Sequence, residues 1–220
     1  RTLSLKGRCS ASWAIKSKFA RKYTVYKSII QFYFVLNLSL INIIILKKII
    51  VMIGYMGCGK TTLGKKLSKY YKLPFIDLDD EIVSFENNSI EKIFQTKGEL
   101  YFRKIEYKIL FKIIRNSNRS VISLGGGTPC YFDTIELLNK NEKIHTFYLK
   151  TDINILTDRL FIDKNKRPII KSIDSKNLLK EFVGKHLFER SIYYNKAKSI
   201  LVTNNKSLNS LVNEVKEILA

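Results

Sequence analysis

The sequence predicts an α/β sandwich built on a parallel sheet. Short apolar runs rich in β-branched residues alternate with amphipathic helical segments from Lys48 to the C-terminus. A glycine-rich loop follows the first of these runs directly, and a second glycine cluster follows a later one. The chain has 220 residues, of which 45% are hydrophobic, so it can bury a substantial core.

Five short runs are the strand candidates, because they are apolar and short enough for buried parallel strands. They are Ile49–Ile53, Pro74–Ile76, Val121–Leu124, Ile144–Leu149 and Ser199–Thr203. Apolar residues recur at helical spacing in four segments. These are Thr62–Tyr71, Glu99–Ile114, Leu178–Tyr193 and Ser207–Leu219. In the first of them Leu63, Leu67 and Tyr70 are expected on one buried face. The polar, lysine-rich stretch between Phe161 and Ile173 has no clear periodicity and predicts a mobile lid.

The most specific motif is GYMGCGKT at residues 54–61, which matches the complete pattern of a phosphate-binding P-loop. Its glycines allow positive φ angles and let backbone N–H groups surround phosphate oxygens. The ammonium of Lys60 would reach the β- and γ-phosphates of a nucleotide, and the hydroxyl of Thr61 would ligate Mg²⁺. The motif lies between a predicted buried strand and a predicted helix, which is the context that it requires.

Two further motifs follow predicted strands. Asp77 and Asp79 alternate along an expected extended segment, which would place both carboxylates on one side, one for a metal and one for a substrate hydroxyl. The alternative is that these acids only open a helix. Residues 125–127 are all glycine and follow another strand, where a backbone can approach a ligand closely. A plain flexible turn is the alternative there.

Three arginines are candidates for anion binding. Arg103 and Arg190 lie on or beside the apolar faces of their predicted helices, where a cation needs an anionic partner. Both could hold a carboxylate through two hydrogen bonds. Arg167 lies in the predicted lid, from which it could reach a transferring phosphate. Ordinary surface cations are the alternative for each of them.

The first 46 residues are predicted to form an N-terminal extension that is separate from a domain at residues 47–220. Residues 1–48 contain ten Lys or Arg and no acid, within a chain of net charge +20, and Ser28–Leu46 has no charged residue. The extension could be a targeting peptide, a membrane span or upstream sequence that does not belong to the working protein. Three dispersed cysteines without a CxxC motif favour a reducing compartment, and we expect the cytoplasm, with an organelle reached through residues 1–46 as the alternative.

The ordered set of motifs resembles the shikimate kinase family from Lys47 to Ala220. The matching segments are GYMGCGKTTLGKKL, FIDLDDEI, IFQTKGELYFRKIE, SLGGG, KRPI and FERSIYY. The resemblance implies a three-layer sandwich with a five-stranded parallel sheet, related to the nucleoside monophosphate kinases. It also implies transfer of the γ-phosphoryl group of ATP to the 3-hydroxyl of shikimate, with Mg²⁺ as cofactor.

The resemblance also implies roles for individual residues. ATP would be bound by the loop residues and the lid arginine, which are Gly57, Cys58, Gly59, Lys60, Thr61, Thr62 and Arg167. Shikimate would be bound by Asp79, Arg103, Gly126, Gly127 and Arg190, with Phe94 and Phe102 as aromatic walls. Thr61 and Asp77 match the metal side, and Lys60, Asp79 and Arg167 match the catalytic groups. Arg159 and Lys206 resemble residues on the adenine side, and Leu124 stands where the family often has Thr.

Other functions compete with this interpretation. Another P-loop metabolite kinase, such as a gluconate or nucleoside monophosphate kinase, would share the phosphate loop. A nucleic-acid-binding protein would use the basic charge, but no aromatic–basic RNA motif or DNA-reading element is present. The expected partners are therefore ATP and shikimate, without nucleic acid or membrane, and we expect a monomer.

Overall fold

The computed structural model describes Lys27, Gln31 and residues 48–220. Within residues 48–220, strands and helices alternate along the chain. In order they are β1 (Ile49–Ile53), α1 (Lys60–Tyr71), β2 (Phe75–Asp77), α2 (Leu78–Glu86), α3 (Ile90–Asn116), β3 (Ser120–Ser123), α4 (Thr134–Lys140), β4 (Ile144–Lys150), α5 (Ile153–Ile162), α6 (Lys176–Tyr194), β5 (Ser199–Val202) and α7 (Leu208–Leu219). Short 3₁₀ turns cover Thr128–Cys130, Lys164–Lys166 and Pro168–Ile170.

The strands form one five-stranded parallel sheet in the order β2-β3-β1-β4-β5. Strand β1 lies at its centre, with Ile49 paired to Ser120 on one side and to Ile144 on the other. Helices flank the sheet: α1 packs on β3 and on α7, and α4 packs on β4. The expected parallel sheet of an α/β sandwich is confirmed. Because the strands are parallel, their carboxyl ends meet at one edge, and the loops that follow β1, β2 and β3 come together there.

The core centres on β1, whose five residues are at most 2% exposed. An isoleucine buried to this extent contributes about 1.5–3 kcal/mol through removal of apolar surface from water. The helices add their apolar stripes, and in α1 these are Leu63, Leu67 and Tyr71. The expectation that Tyr70 faces the core is wrong, since Tyr70 is 48% exposed and the next residue takes its place.

Helices α4 and α5 were not among the predicted elements, whereas α2 is the helix that the acids after the second strand were expected to open in the alternative interpretation. Helix α3 is also longer than predicted, and Gly98 (φ 77°, ψ 170°) interrupts it. The predicted start at Glu99 is the first residue after this break. The predicted lid stretch contains the end of α5 and two 3₁₀ turns, and the side chain of Ile170 is fully buried. Its mobility stays a prediction.

In the part of the chain that the structure describes, no helix is long and apolar enough to cross a membrane. The uncharged segment Ser28–Leu46 lies outside the described residues, apart from Gln31. The three interpretations of residues 1–46 therefore stay open.

Candidate active site

The phosphate loop connects the carboxyl end of β1 to the first turn of α1. Gly57 and Gly59 have φ angles of 80° and 100°, which a residue with a side chain rarely adopts. Helix α1 begins at Lys60, so the unpaired N–H groups of its first turn lie at this loop. Such a helix start attracts anions through these donors and the helix dipole.

The ammonium of Lys60 is almost buried and is held by the loop itself. Its Nζ donates to the carbonyl oxygens of Gly54 at 2.8 Å and of Tyr55 at 3.0 Å. These acceptors are neutral, and no carboxylate among the described residues forms an ion pair with this lysine. An anionic phosphate oxygen would be a stronger partner than a neutral carbonyl.

Oxygen atoms from three segments converge beside this loop. Thr61 donates its hydroxyl to Asp77 Oδ2 at 3.0 Å. Asp77 ends β2 and pairs in register with Ser123, which ends β3. Hydroxyl and carboxylate oxygens are the ligands that hard divalent cations prefer. The donor set around Thr61 and Asp77 therefore fits a magnesium ion.

The expected extended segment from Asp77 to Asp79 is wrong in one respect. Only Asp77 belongs to the strand, while Asp79 lies in the first turn of α2. Asp77 is the N-cap of this helix, and its Oδ1 accepts from the backbone N–H of Asp79 at 3.2 Å. Asp77 therefore caps the helix and lines the cleft at the same time. The cap turns the chain so that the carboxylates of Asp77 and Asp79 line the same cleft.

Asp79 is the carboxyl group with the most altered acidity near this loop. Burial raises its pKa, and the carboxylates of Asp77 and Glu106 raise it further. The cations Lys60 and Arg103 oppose this effect, and the resulting pKa is about 6. A carboxyl group poised near neutral pH can accept or share a proton from a bound hydroxyl.

The three glycines at 125–127 allow charged side chains to approach the backbone. A Cβ atom at Gly125 would lie 2.9 Å from Glu106 Oε1 and 3.1 Å from Asp79 Oδ1. At Gly127 it would lie 2.5 Å from a guanidinium nitrogen of Arg103. At Gly126 the nearest atom would be 3.5 Å away, and Arg190 Nη1 would be 3.6 Å away. The loop therefore brings both predicted clamp arginines to adjacent glycines.

Arg103 is enclosed by acids and aromatic rings. Its guanidinium donates to Glu106 at 2.9 Å and to Glu99 at 3.3 and 3.4 Å. The guanidinium carbon lies 4.6 Å from the ring centroid of Tyr131, and the rings of Phe94 and Phe102 follow at 5.9 and 5.1 Å. Phe94 and Phe102, which were expected to line the substrate pocket, thus contact Arg103, which was expected to bind the substrate.

A cleft of about 340 Å³ lies along this edge of the sheet. Its lining includes the predicted residues Gly57, Gly59, Lys60, Thr61, Thr62, Asp77, Asp79, Gly126, Arg159 and Arg167. Cys58 is buried behind the loop, and Gly127, Arg103 and Arg190 lie next to the cleft rather than in its lining.

Arg167 from the predicted lid, and Arg159 and Lys206 from the predicted adenine side, have different hydrogen-bond and ion-pair partners. The Nε of Arg167 is buried and has no hydrogen-bond partner in residues 48–220. Arg159 donates to the Gly57 carbonyl at 3.1 Å and so contacts the phosphate loop. Lys206 instead forms an ion pair with Glu214 on α7 and does not line the cleft.

Sequence reasoning missed Glu106 and Ser123. Glu106 binds Arg103 and also accepts from the Thr128 hydroxyl at 2.6 Å. Its position three residues after Arg103 on a helix was a usable signal, because side chains at that spacing are neighbours. Ser123 lines the cleft beside Leu124. A hydroxyl is therefore present one residue before position 124, where the family often has Thr.

The comparisons with known proteins agree with this geometry. A family model described as shikimate kinase matches residues 56–220. The chain is 44% identical over 171 residues to a shikimate kinase of Flavobacterium johnsoniae, which covers 78% of this chain and 98% of that protein. It is 42% identical over 172 residues to one of Flavobacterium psychrophilum, covering 78% of this chain and 99% of that protein.

Solved structures give the same result. The crystal structure of shikimate kinase from Bacteroides thetaiotaomicron is 34% identical with a TM-score of 0.72, covering 78% of this chain and 98% of that one. Shikimate kinase from Acinetobacter baumannii, solved in complex with shikimate, is 26% identical with a TM-score of 0.69, covering 78% and 92%. The match to the family model and to these relatives shows that the chain belongs to the shikimate kinase family.

Proposed function

We propose that this cleft transfers the γ-phosphoryl group of ATP to the 3-hydroxyl of shikimate, giving ADP and shikimate 3-phosphate. The observation that carries the proposal is the position of two arginines at the triple glycine, beside the cleft that holds the phosphate loop. A phosphate loop alone fits any nucleotide-dependent enzyme. Two guanidinium groups near it favour an acceptor that carries a carboxylate as well as a hydroxyl.

The nucleotide phosphates would bind at residues 57–62, with their charge offset by Lys60 and Arg167. Lys60 can exchange its neutral carbonyl acceptors for phosphate oxygens. Arg167 has a buried Nε without a partner among the described residues, so this donor gains a hydrogen bond when an anion arrives. Because phosphoryl transfer passes through a loose transition state, positioning and neutralisation of charge are the main tasks of such groups.

Magnesium is the cofactor that we assign to Thr61 and Asp77. Their oxygens are 3.0 Å apart and lie in the cleft. When bound there with ATP, the ion would neutralise phosphate charge and orient the phosphoryl group. The protein's own contribution is to hold the two oxygen ligands by the helix start and the strand end.

Asp79 would orient the attacking hydroxyl and accept its proton. It lies in the cleft between the metal side and the triple glycine, with its Oδ1 3.1 Å from the place of a Cβ at Gly125. Arg103 and Arg190 would hold the carboxylate of shikimate, and the backbone of Gly126 and Gly127 would complete the acid subsite. This arrangement fixes the acceptor at both ends, so that one hydroxyl faces the phosphate.

We further propose that the protein acts as a monomer in the cytoplasm, without nucleic acid or membrane as partner. The free thiols Cys58 and Cys130 are compatible with a reducing compartment. An organelle reached through residues 1–46 is the alternative. Fractionation of cells that produce the full chain, followed by size-exclusion chromatography, tests location and oligomeric state together.

The deciding experiment is a coupled assay of ADP release by the full chain with ATP and Mg²⁺. Shikimate, gluconate, AMP and no acceptor are compared at equal concentration. We expect ADP release that depends on shikimate and on Mg²⁺. Release that depends on gluconate or AMP instead would leave the nucleotide site standing and overturn the assigned acceptor.

A further inference from the structure

Arg190 lies in the middle of a stripe along α6. His186, Arg190 and Tyr194 are spaced by four residues, so their side chains share one face of the helix. Tyr194 is fully buried and donates its hydroxyl to the carbonyl of Gly126 at 2.5 Å. Among the ion pairs of residues 48–220, none involves Arg190, in contrast to Arg103 with its two glutamates. Its guanidinium must therefore be held by other contacts.

Tyr55 provides such a contact from the phosphate loop. Although it is the second residue of this loop, its side chain is turned inward and only 1% exposed. The guanidinium carbon of Arg190 lies 5.7 Å from the centroid of its ring, within the range of a cation–π interaction. A buried ring in this position supports the cation from one side, while the Tyr194 hydroxyl, one turn further along α6, also interacts with the guanidinium.

The Tyr55 ring is itself fixed by α6. Its hydroxyl lies 3.4 Å from His186 Nδ1, and the His186 ring packs against Phe182 at 4.1 Å between centroids. The ring thus touches α6 at two points one turn apart. Its backbone carbonyl, in addition, accepts from the ammonium of Lys60 at 3.0 Å. One residue therefore contacts both the loop lysine and the clamp arginine.

We propose that Tyr55 is a positioning residue that fixes the guanidinium of Arg190 for the substrate carboxylate. It would thereby set the distance between the acid subsite and the phosphate loop. The inference rests on the proposed function, since it takes Arg190 as a ligand of the acid. The proposal makes a selective prediction. Loss of the Tyr55 ring should raise the KM for shikimate and leave the KM for ATP unchanged, although Tyr55 belongs to the loop that binds the nucleotide.

The test compares Tyr55→Leu and Tyr55→Phe in the full chain by steady-state kinetics with both substrates. A cation–π contact of ordinary strength corresponds to a change of about three- to thirtyfold, so we expect Tyr55→Leu to raise the KM for shikimate by that factor. The KM for ATP should stay within about twofold. Tyr55→Phe keeps the ring and should restore most of the affinity. Tyr71→Phe is the matched control, because the Tyr71 hydroxyl is buried without a partner among the described residues.

A double-mutant cycle separates positioning from general damage to the loop. If Tyr55 acts through Arg190, then Tyr55→Leu should raise the KM for shikimate no further in an Arg190→Ala background. Equal effects in both backgrounds, or parallel increases in the two KM values, would overturn the proposal. Tyr55→Met fills the same space with a flexible apolar chain and replaces the leucine variant if that one does not fold.

The outcomes also distinguish this inference from the proposed function. If the unmodified chain shows no ADP release that depends on shikimate, the proposed function fails before any variant is compared. If the chain is active and Arg190→Ala raises the KM for shikimate while Tyr55→Leu does not, the function stands and the role of Tyr55 is wrong.

Discussion

The carboxylate of Glu106 accepts a hydrogen bond from the guanidinium of Arg103 at 2.9 Å, and the two side chains are only 2% and 10% exposed. Their attraction is strong in this environment, but taking both charges out of water costs free energy. The pair is therefore better understood as a device that holds Arg103 at Gly127 than as a source of stability. Glu106 also accepts from Thr128, which fixes its second oxygen.

We predict that Glu106→Ala destabilises the protein by about 3–5 kcal/mol, because it leaves the buried Arg103 without its main partner. The double variant Arg103→Met with Glu106→Leu should recover most of this loss, since it removes both charges, but it should not recover turnover of shikimate. Urea unfolding and the ADP assay measure the two properties separately. A double variant as unstable as the single one would show that the pair itself stabilises the fold.

The close approach of Arg103 to the triple glycine gives a second prediction. A methyl group at Gly127 would lie 2.5 Å from the guanidinium, so Gly127→Ala must displace Arg103 or the loop. We expect a loss of about 1–3 kcal/mol in the free energy of unfolding, as for other overpacked sites, and a raised KM for shikimate. Gly126→Ala is the matched stability control, since its nearest neighbour would be 3.5 Å away. Similar losses of stability in the two variants would contradict the steric explanation.

Asp79 should show a conflict between stability and activity. Its pKa is raised to about 6 in the folded chain, so the folded state holds the proton more tightly than the unfolded state does. The stability from this proton is complete below the ordinary pKa of about 4 and is lost as the pH rises through 6. At pH 7.5, without nucleotide or metal, Asp79→Asn should therefore be more stable by about 1–2 kcal/mol while losing turnover.

Urea unfolding of both proteins at pH 7.5 and pH 4 checks this prediction. The advantage of Asp79→Asn should shrink at the lower pH, where the native aspartic acid is also neutral. An advantage that is the same at both pH values would point to packing rather than to the charge.

The sheet could be predicted from the sequence because its strands are short apolar runs followed by recognisable loops. The P-loop, with its glycines and Lys60, needed only a local pattern. Helix α2 was predicted only as an alternative, because its first residues, Leu78–Glu81, contain three acids, which are equally consistent with a loop after a strand. Tyr70 and Tyr71 show the limit of periodicity, since two adjacent tyrosines differ by only 100° around the helix.

The contacts between distant segments could not be predicted in the same way. Tyr55 and Arg190 are 135 positions apart in the sequence, and only the packing of α6 against the phosphate loop brings them together. The Glu106–Thr128 hydrogen bond depends likewise on the position of α3 at the end of β3. Side-chain chemistry indicates what a residue can bind, whereas the tertiary fold determines which partner it meets.

His145 should make the protein sensitive to acid. Burial and, to a lesser extent, the nearby cations Lys48 and Lys198 together lower its pKa from 6.5 to about 4. Between these pH values the unfolded chain binds more protons at this site, so stability falls as the pH falls from 6.5 towards 4. Because the ring is only partly buried, we expect no more than about 1–2 kcal/mol from this site.

The comparison for His145 is His145→Gln, which is neutral throughout this range. The difference in unfolding free energy between pH 7.5 and pH 5 should be smaller in the variant than in the unmodified chain. Carboxylates affect both proteins alike and cancel in the comparison. Equal pH dependence in the two proteins would assign the acid sensitivity to other groups.

The two ends of the site should respond differently to the loss of one cation. Lys60→Ala should abolish nearly all turnover, by about a hundredfold or more, because the nucleotide phosphates lose a charge that acts in the transition state. The fold should survive, since the hydrogen-bond partners of the Lys60 ammonium within residues 48–220 are two carbonyls of the loop itself and the sulfur of Cys58. Arg190→Ala should mainly raise the KM for shikimate, because it acts on a carboxylate that is remote from the reacting atoms. Lys66→Ala, on the exposed side of α1, is the control for loss of a positive charge. If Arg190→Ala raised only the KM for ATP, the carboxylate clamp would be misassigned, whereas full turnover by Lys60→Ala would remove the phosphate loop from the reaction.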